Sequence, residues 1–111
     1  MHHDTRIVTR ADAPNGPRGE KLMAHGDALA LRVWEREPQG EASPSHSNDY
    51  EYVAYVAAGA LRVQIGDDDA QEVRAGDSYV VPANTPYGFE VLEAATVVEA
   101  VSPASAAGGG S

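Results

Sequence analysis

Apolar and polar residues alternate in short runs along most of the chain, and turn-forming residues punctuate the runs. Glu20 to His25 precedes Gly26-Asp27, and the run ALALRVWERE follows, so two alternating segments flank a hairpin signal. PQGEASPSHSND is a loop by its Gly, Pro, Ser and Asn content. YEYVAYVA is rich in aromatic and β-branched residues and predicts a strand. Gly59 marks a turn into ALRVQIG, where Leu61, Val63 and Ile65 alternate with Arg62 and Gln64. Asp67-Asp68-Asp69 reads as a solvated hairpin tip. QEVR, a turn at Ala75-Gly76-Asp77, SYVVP and a loop from Pro82 to Pro86 come next, and YGFEVLE and ATVVEAVS form a final pair. The result is about eight short strands with turns every 8–12 residues, the pattern of a sandwich, barrel or jelly roll. Residues 1–19 read as an N-terminal arm, 20–103 as one domain and 104–111 as a flexible tail.

Composition narrows the function classes. The 111 residues suit a single domain, and 42% hydrophobic content is enough for a packed core. With 8 Lys+Arg against 17 Asp+Glu, the net charge of −9 argues against nucleic acid and anionic membrane as partners. The absence of cysteine excludes disulfides, thiolate zinc sites and cysteine nucleophiles. The longest weakly apolar run, Tyr52 to Leu61, falls far short of the roughly 18 residues of a membrane span. MHHDTRIVTR shows no apolar leader, so a soluble cytoplasmic domain is expected.

Two spaced motifs carry a family resemblance. Gly40 is followed by His46, Asn48, Tyr52 and Gly59, and Gly76-Asp77-Ser78-Tyr79-Val80-Val81-Pro82 is followed by Asn84, Pro86 and Tyr87. This layout resembles the cupin superfamily from about Leu29 to Pro103, and implies an all-β, double-stranded β-helix (jelly-roll) barrel. In that family two His and one Glu of the first motif and one His of the second hold a divalent cation. Here the first His is His46, the second falls on Asn48, the Glu on Tyr52 and the second-motif His on Tyr87. The resemblance therefore implies a degenerate ligand set, with no tightly bound cofactor. A weakly held divalent metal on His46, Asn48 and Glu51 is the alternative, if a bulge turns Glu51 inward.

The last strand adds a second likeness. TVVEAVSP is similar to the final strand of small single-domain cupins that ketonise unsaturated uronates. Those proteins carry an inward Asp at the position of Glu99, a Phe at that of Val101 and an Arg soon after the Pro. Here Val101 replaces the Phe and no Arg follows Pro103. Glu99 shares a strand face with Val97 and Val101, where a carboxylate is costly unless paired, protonated or wet; the alternative is a solvent-facing Glu99. Metal-free sugar-nucleotide epimerases of the superfamily use a His and a Tyr for proton transfer. By that likeness Glu99 or His46 is the base and Tyr52 or Tyr87 the acid.

Arg32, Trp34 and Arg36 share a face opposite Leu29, Leu31 and Val33. That face is either a solvated or interface face, or Arg32 and Trp34 line the barrel with Phe89 and receive an anionic or cyclic ligand. Three functions stay open: a metal-free isomerase, epimerase or lyase; a binding or sensing cupin without chemistry; and a metal-dependent cupin. A homodimer is expected, with Val53 and Tyr55 as outer-face contacts.

Overall fold

The computed structural model describes residues 7–38, 46–104 and 106. Gly40 of the first motif, the start of the arm and most of the tail lie outside the described residues. Among the described residues six strands form: β1 (Lys21–His25), β2 (Ala30–Arg36), β3 (Glu51–Ile65), β4 (Gln71–Arg74), β5 (Ser78–Val81) and β6 (Tyr87–Ser102). Every pairing is antiparallel, in the order β1-β2-β6-β3-β4, with β5 also on β3. This is the expected all-β jelly-roll architecture. Among the described residues no helix is long and apolar enough to cross a membrane.

Six strands appear instead of about eight because two pairs of short runs merge. β3 joins the runs on either side of Gly59, and β6 joins YGFEVLE to ATVVEAVS. Gly59 lies at φ +80°, and a Cβ there would run into the carbonyl oxygen of Ala94 on β6. The ladder between the two long strands shifts register between Val56 and Leu61. The glycine therefore turns a corner within a continuous strand, a bulge that looks like a reverse turn in sequence. Beyond the corner β3 exchanges β5 for β4 as its second neighbour, so each long strand serves two parts of the barrel.

Alternation within the strands decides what faces inward. On β3 Tyr52, Ala54 and Val56 are buried while Glu51, Val53 and Tyr55 are exposed. The ladders align one inward row as Ala30, Val101, Tyr52 and Val81, and the next as Arg32, Glu99, Ala54 and Tyr79. Outward, Leu31, Ala100, Val53 and Val80 stand side by side.

The ends of the domain are more attached than their composition suggests. Leu22 N–H donates to the Pro14 carbonyl at 2.8 Å and Gly16 N–H to that of Glu20 at 2.6 Å, which lays the arm along β1. Ala104 and Ala106, the described part of the tail, pack against the core.

Candidate active site

The site begins with a cross-strand pair. Arg32 of β2 and Glu99 of β6 are direct ladder partners, both on the inward face and both 4% exposed. Arg32 Nε donates to Glu99 Oε1 at 2.6 Å, and Trp34 Nε1 donates to the same oxygen at 2.9 Å. Burial alone lowers the pKa of Arg32. The Glu99 carboxylate and Tyr50, whose hydroxyl lies 3.2 Å from Arg32 Nη1, more than reverse that, and the net direction is upward. The pair solves the problem of a carboxylate on an apolar strand face, because each charge compensates the other. The solvated alternative for the Arg32–Trp34 face is not adopted, nor is a solvent-facing Glu99. Of the three ways to make a carboxylate tolerable on such a face, Glu99 is paired.

Glu99 Oε2 is free of hydrogen bonds among the described residues, yet it is not a sealed-off oxygen. It keeps accessible surface, and Glu99 lines a half-open cavity of about 230 Å³. Arg32, Trp34, Arg36, His46, Tyr52, Tyr79, Tyr87 and Phe89 also line this cavity, and Arg18 of the arm joins them. At roughly 30 Å³ per water-sized group the space suits a molecule with on the order of eight to ten non-hydrogen atoms. A larger groove of about 510 Å³ between arm and β1 is mainly apolar, with Ile7, Leu22 and Met23 in its lining beside Thr9, Asp12 and His25. Convergent polar chemistry, more than size, marks a functional site.

Two of the cavity tyrosines, Tyr52 and Tyr79, are held as neutral phenols. Burial, reinforced by the nearby Glu99 charge, pushes the Tyr52 phenol far above its ordinary value. Tyr79 moves the same way for the same leading reasons, against the pull of Arg36. Tyr87 packs edge-on to Tyr52 with ring centroids 5.7 Å apart. The exposed His46 pairs with Tyr87 through backbone hydrogen bonds of 3.0 and 2.8 Å, and its ring centroid lies 4.4 Å from that of Tyr87. The two motifs thus meet at the cavity rim. Asn84 holds φ +58°, in the left-handed region that Asn tolerates.

The family metal positions are a poor fit for a cation. They offer one imidazole, an amide and two phenols, and Asn48 Nδ2 already donates to Tyr87 Oη at 3.2 Å. A phenol must lose its proton to ligate well, and burial opposes that at Tyr52. Glu51 corrects the rearranged set: it is exposed on the outer face of β3, because the register shifts begin only beyond Val56. Among the described residues no three His, Asp or Glu side chains converge.

Eight residues singled out in the sequence therefore line one cavity: Arg32, Trp34, Arg36, His46, Tyr52, Tyr87, Phe89 and Glu99. Asn48 stands behind Tyr87, and Glu51 is absent from the site. Tyr79, Tyr50 and Arg18 were missed. Alternation with the inward Val81 could have found Tyr79. Arg18 sits in an irregular arm whose pattern gives no such signal.

A family model described as a cupin domain matches residues 32–101. No curated protein matches the chain. Among solved structures, KdgF from Halomonas sp. is 26% identical with a TM-score of 0.68, over 76% of this chain and 78% of that one. An RmlC-like cupin from Shewanella frigidimarina is 19% identical with a TM-score of 0.78, over 94% and 96%. A double-stranded β-helix protein from Klebsiella pneumoniae is 20% identical with a TM-score of 0.70, over 94% and 91%. The last two likenesses concern the fold alone.

Proposed function

The chain belongs to the cupin superfamily, and from that premise we propose that its barrel cavity performs acid–base chemistry on a small molecule without a tightly held metal. One observation carries the reading: Glu99 is fixed through Oε1 by Arg32 and Trp34 while Oε2 opens on the cavity. An oriented carboxylate of this kind suits proton abstraction next to a carbonyl. Glu99 Oε2 takes the proton from carbon, the C–H electron pair moves into an enol or enolate, and the hydroxyl of Tyr52 or Tyr87 donates a hydrogen bond to the oxygen that gains charge. The proton then returns to the same carbon or its neighbour, which is isomerisation or epimerisation. His46 at the rim is a second proton carrier with access to solvent.

The test follows deuterium uptake at C3 of 2-oxobutyrate in D₂O by NMR. Exchange above the buffer rate is expected. A rate equal to buffer across a panel of small oxo acids would overturn the catalytic part and leave a binding cupin.

We also propose that a second copy of the chain covers the outer face. Val53 and Tyr55 are each 50% exposed, Val80 47% and Leu31 41%, and the ladder sets Leu31, Val53 and Val80 in one row. Such an apolar patch on adjacent strands suits a self-complementary interface. Light scattering at micromolar concentration is expected to give twice the 11.7 kDa chain mass, and Val53→Glu to give the monomer with unchanged circular dichroism. A wild-type monomer would refute the dimer.

A further inference from the structure

The arginines of this acidic chain divide into two groups. Arg10 pairs with Glu35, Arg32 with Glu99, Arg62 with Glu90, and Arg74 with Glu72 and Glu93. Among the described arginines only Arg18 and Arg36 lack a carboxylate partner, and both line the cavity. In a chain with 17 acidic residues, partners were available in number. Three arginines thus line the cavity against the single carboxylate of Glu99, which is hydrogen-bonded to Arg32 and whose charge also acts on Arg36.

Arg36 is the better placed of the two. It is half-buried at the inner end of β2, with Cζ 4.2 Å from the Trp34 ring centroid and 4.3 Å from that of Phe89. Stacking between two rings holds the guanidinium plane and leaves its N–H fork unspent. Burial lowers the Arg36 pKa, but an arginine stays charged at any physiological pH. A stacked, half-buried fork with no hydrogen-bonded acceptor among the described residues is a receptor for a planar oxyanion, and a carboxylate matches it with two parallel hydrogen bonds. Arg18 stands at the same cavity from the arm side, where its backbone N–H donates to the buried Glu20 carboxylate at 2.9 Å. The aromatic walls favour a ligand with a flat body.

We propose that the cavity selects a small, flat organic carboxylate, with Arg36 as the residue that binds the carboxylate group and Arg18 as a second cation. This rests on the cavity being the small-molecule site, and it is independent of whether Glu99 moves a proton.

Trp34 is the only tryptophan of the chain and lines the cavity, so its fluorescence reports occupancy. The probes are benzoate and benzamide, which share shape and differ in charge. Benzoate is expected to perturb Trp34 emission and to bind the full-length protein at least about tenfold more tightly than benzamide. Arg36→Gln should erase that preference, and Arg36→Lys, which keeps the charge without the fork, should retain part of it. Thermal unfolding of both variants establishes that they are folded, and NMR chemical-shift changes at Trp34 give a second readout. Equal affinity for the two probes, binding of neither, or a preference that survives Arg36→Gln would overturn the proposal. Failure of the catalytic reading looks different: the benzoate preference persists while 2-oxobutyrate gains no deuterium.

Discussion

Arg32→Met is expected to cost about 3–5 kcal/mol of unfolding free energy, because it strands Glu99 as a buried charge. Arg32 and Glu99 are each 4% exposed and meet at 2.6 Å across a central ladder. Removing the guanidinium takes away the main compensation for Glu99 and leaves it one Trp34 hydrogen bond. For a domain of this size the loss amounts to roughly 10–20 °C in Tm. The double variant Arg32→Met with Glu99→Leu should recover most of the stability, since two apolar groups of similar volume remove both desolvation penalties. Arg62→Met, which breaks the half-exposed pair with Glu90, should cost under about 1 kcal/mol. Urea unfolding of the wild type and these three variants decides the matter. An Arg32→Met loss no larger than that of Arg62→Met would show that the inner pair is not a buried, mutually dependent one.

Glu99→Gln is expected to lower the 2-oxobutyrate exchange rate by about 10²–10⁴-fold, the usual weight of a positioned general base. The amide oxygen of glutamine can still accept from Arg32 Nε and Trp34 Nε1, so the side chain keeps its place while losing the ability to take a proton. Arg32 retains its contact with the Tyr50 hydroxyl and its stacking near Tyr52. The variant should therefore be folded and less destabilised than Arg32→Met, with its benzoate preference intact. An exchange rate within about threefold of wild type would remove Glu99 from the chemistry, since proton abstraction by this group cannot survive the substitution.

Strand parity explains both what was legible in the sequence and what was not. The period of two placed Glu99 with Val97 and Val101, and Arg32 with Trp34, on shared faces, and the structure turns both faces inward. Parity alone could not choose inward over outward for β2. The alternative face carries Leu29, Leu31 and Val33, which are apolar and would ordinarily claim the core. Pairing decides it: only with Glu99 opposite can Arg32 be buried, and that register is a tertiary fact. The same parity disqualifies Glu51, one residue out of phase with Tyr52. Gly59 was legible as a special backbone position, but whether it reverses the chain or bends it depends on the approach of Ala94 from β6. Arg18 and Tyr50 reach the site from irregular segments, where no period links sequence position to direction.

Metal independence of the barrel chemistry is the central claim, and chelation tests it most directly. The donor set at the family positions has one imidazole, no inward Glu51, and a Tyr52 phenol that burial keeps protonated. The measurement is the 2-oxobutyrate exchange rate of protein dialysed against EDTA, before and after adding Fe²⁺, Mn²⁺, Ni²⁺ or Zn²⁺. The rate is expected to stay the same within error through chelation and through each addition. Loss of exchange on chelation, with recovery on adding one of these ions, would contradict it.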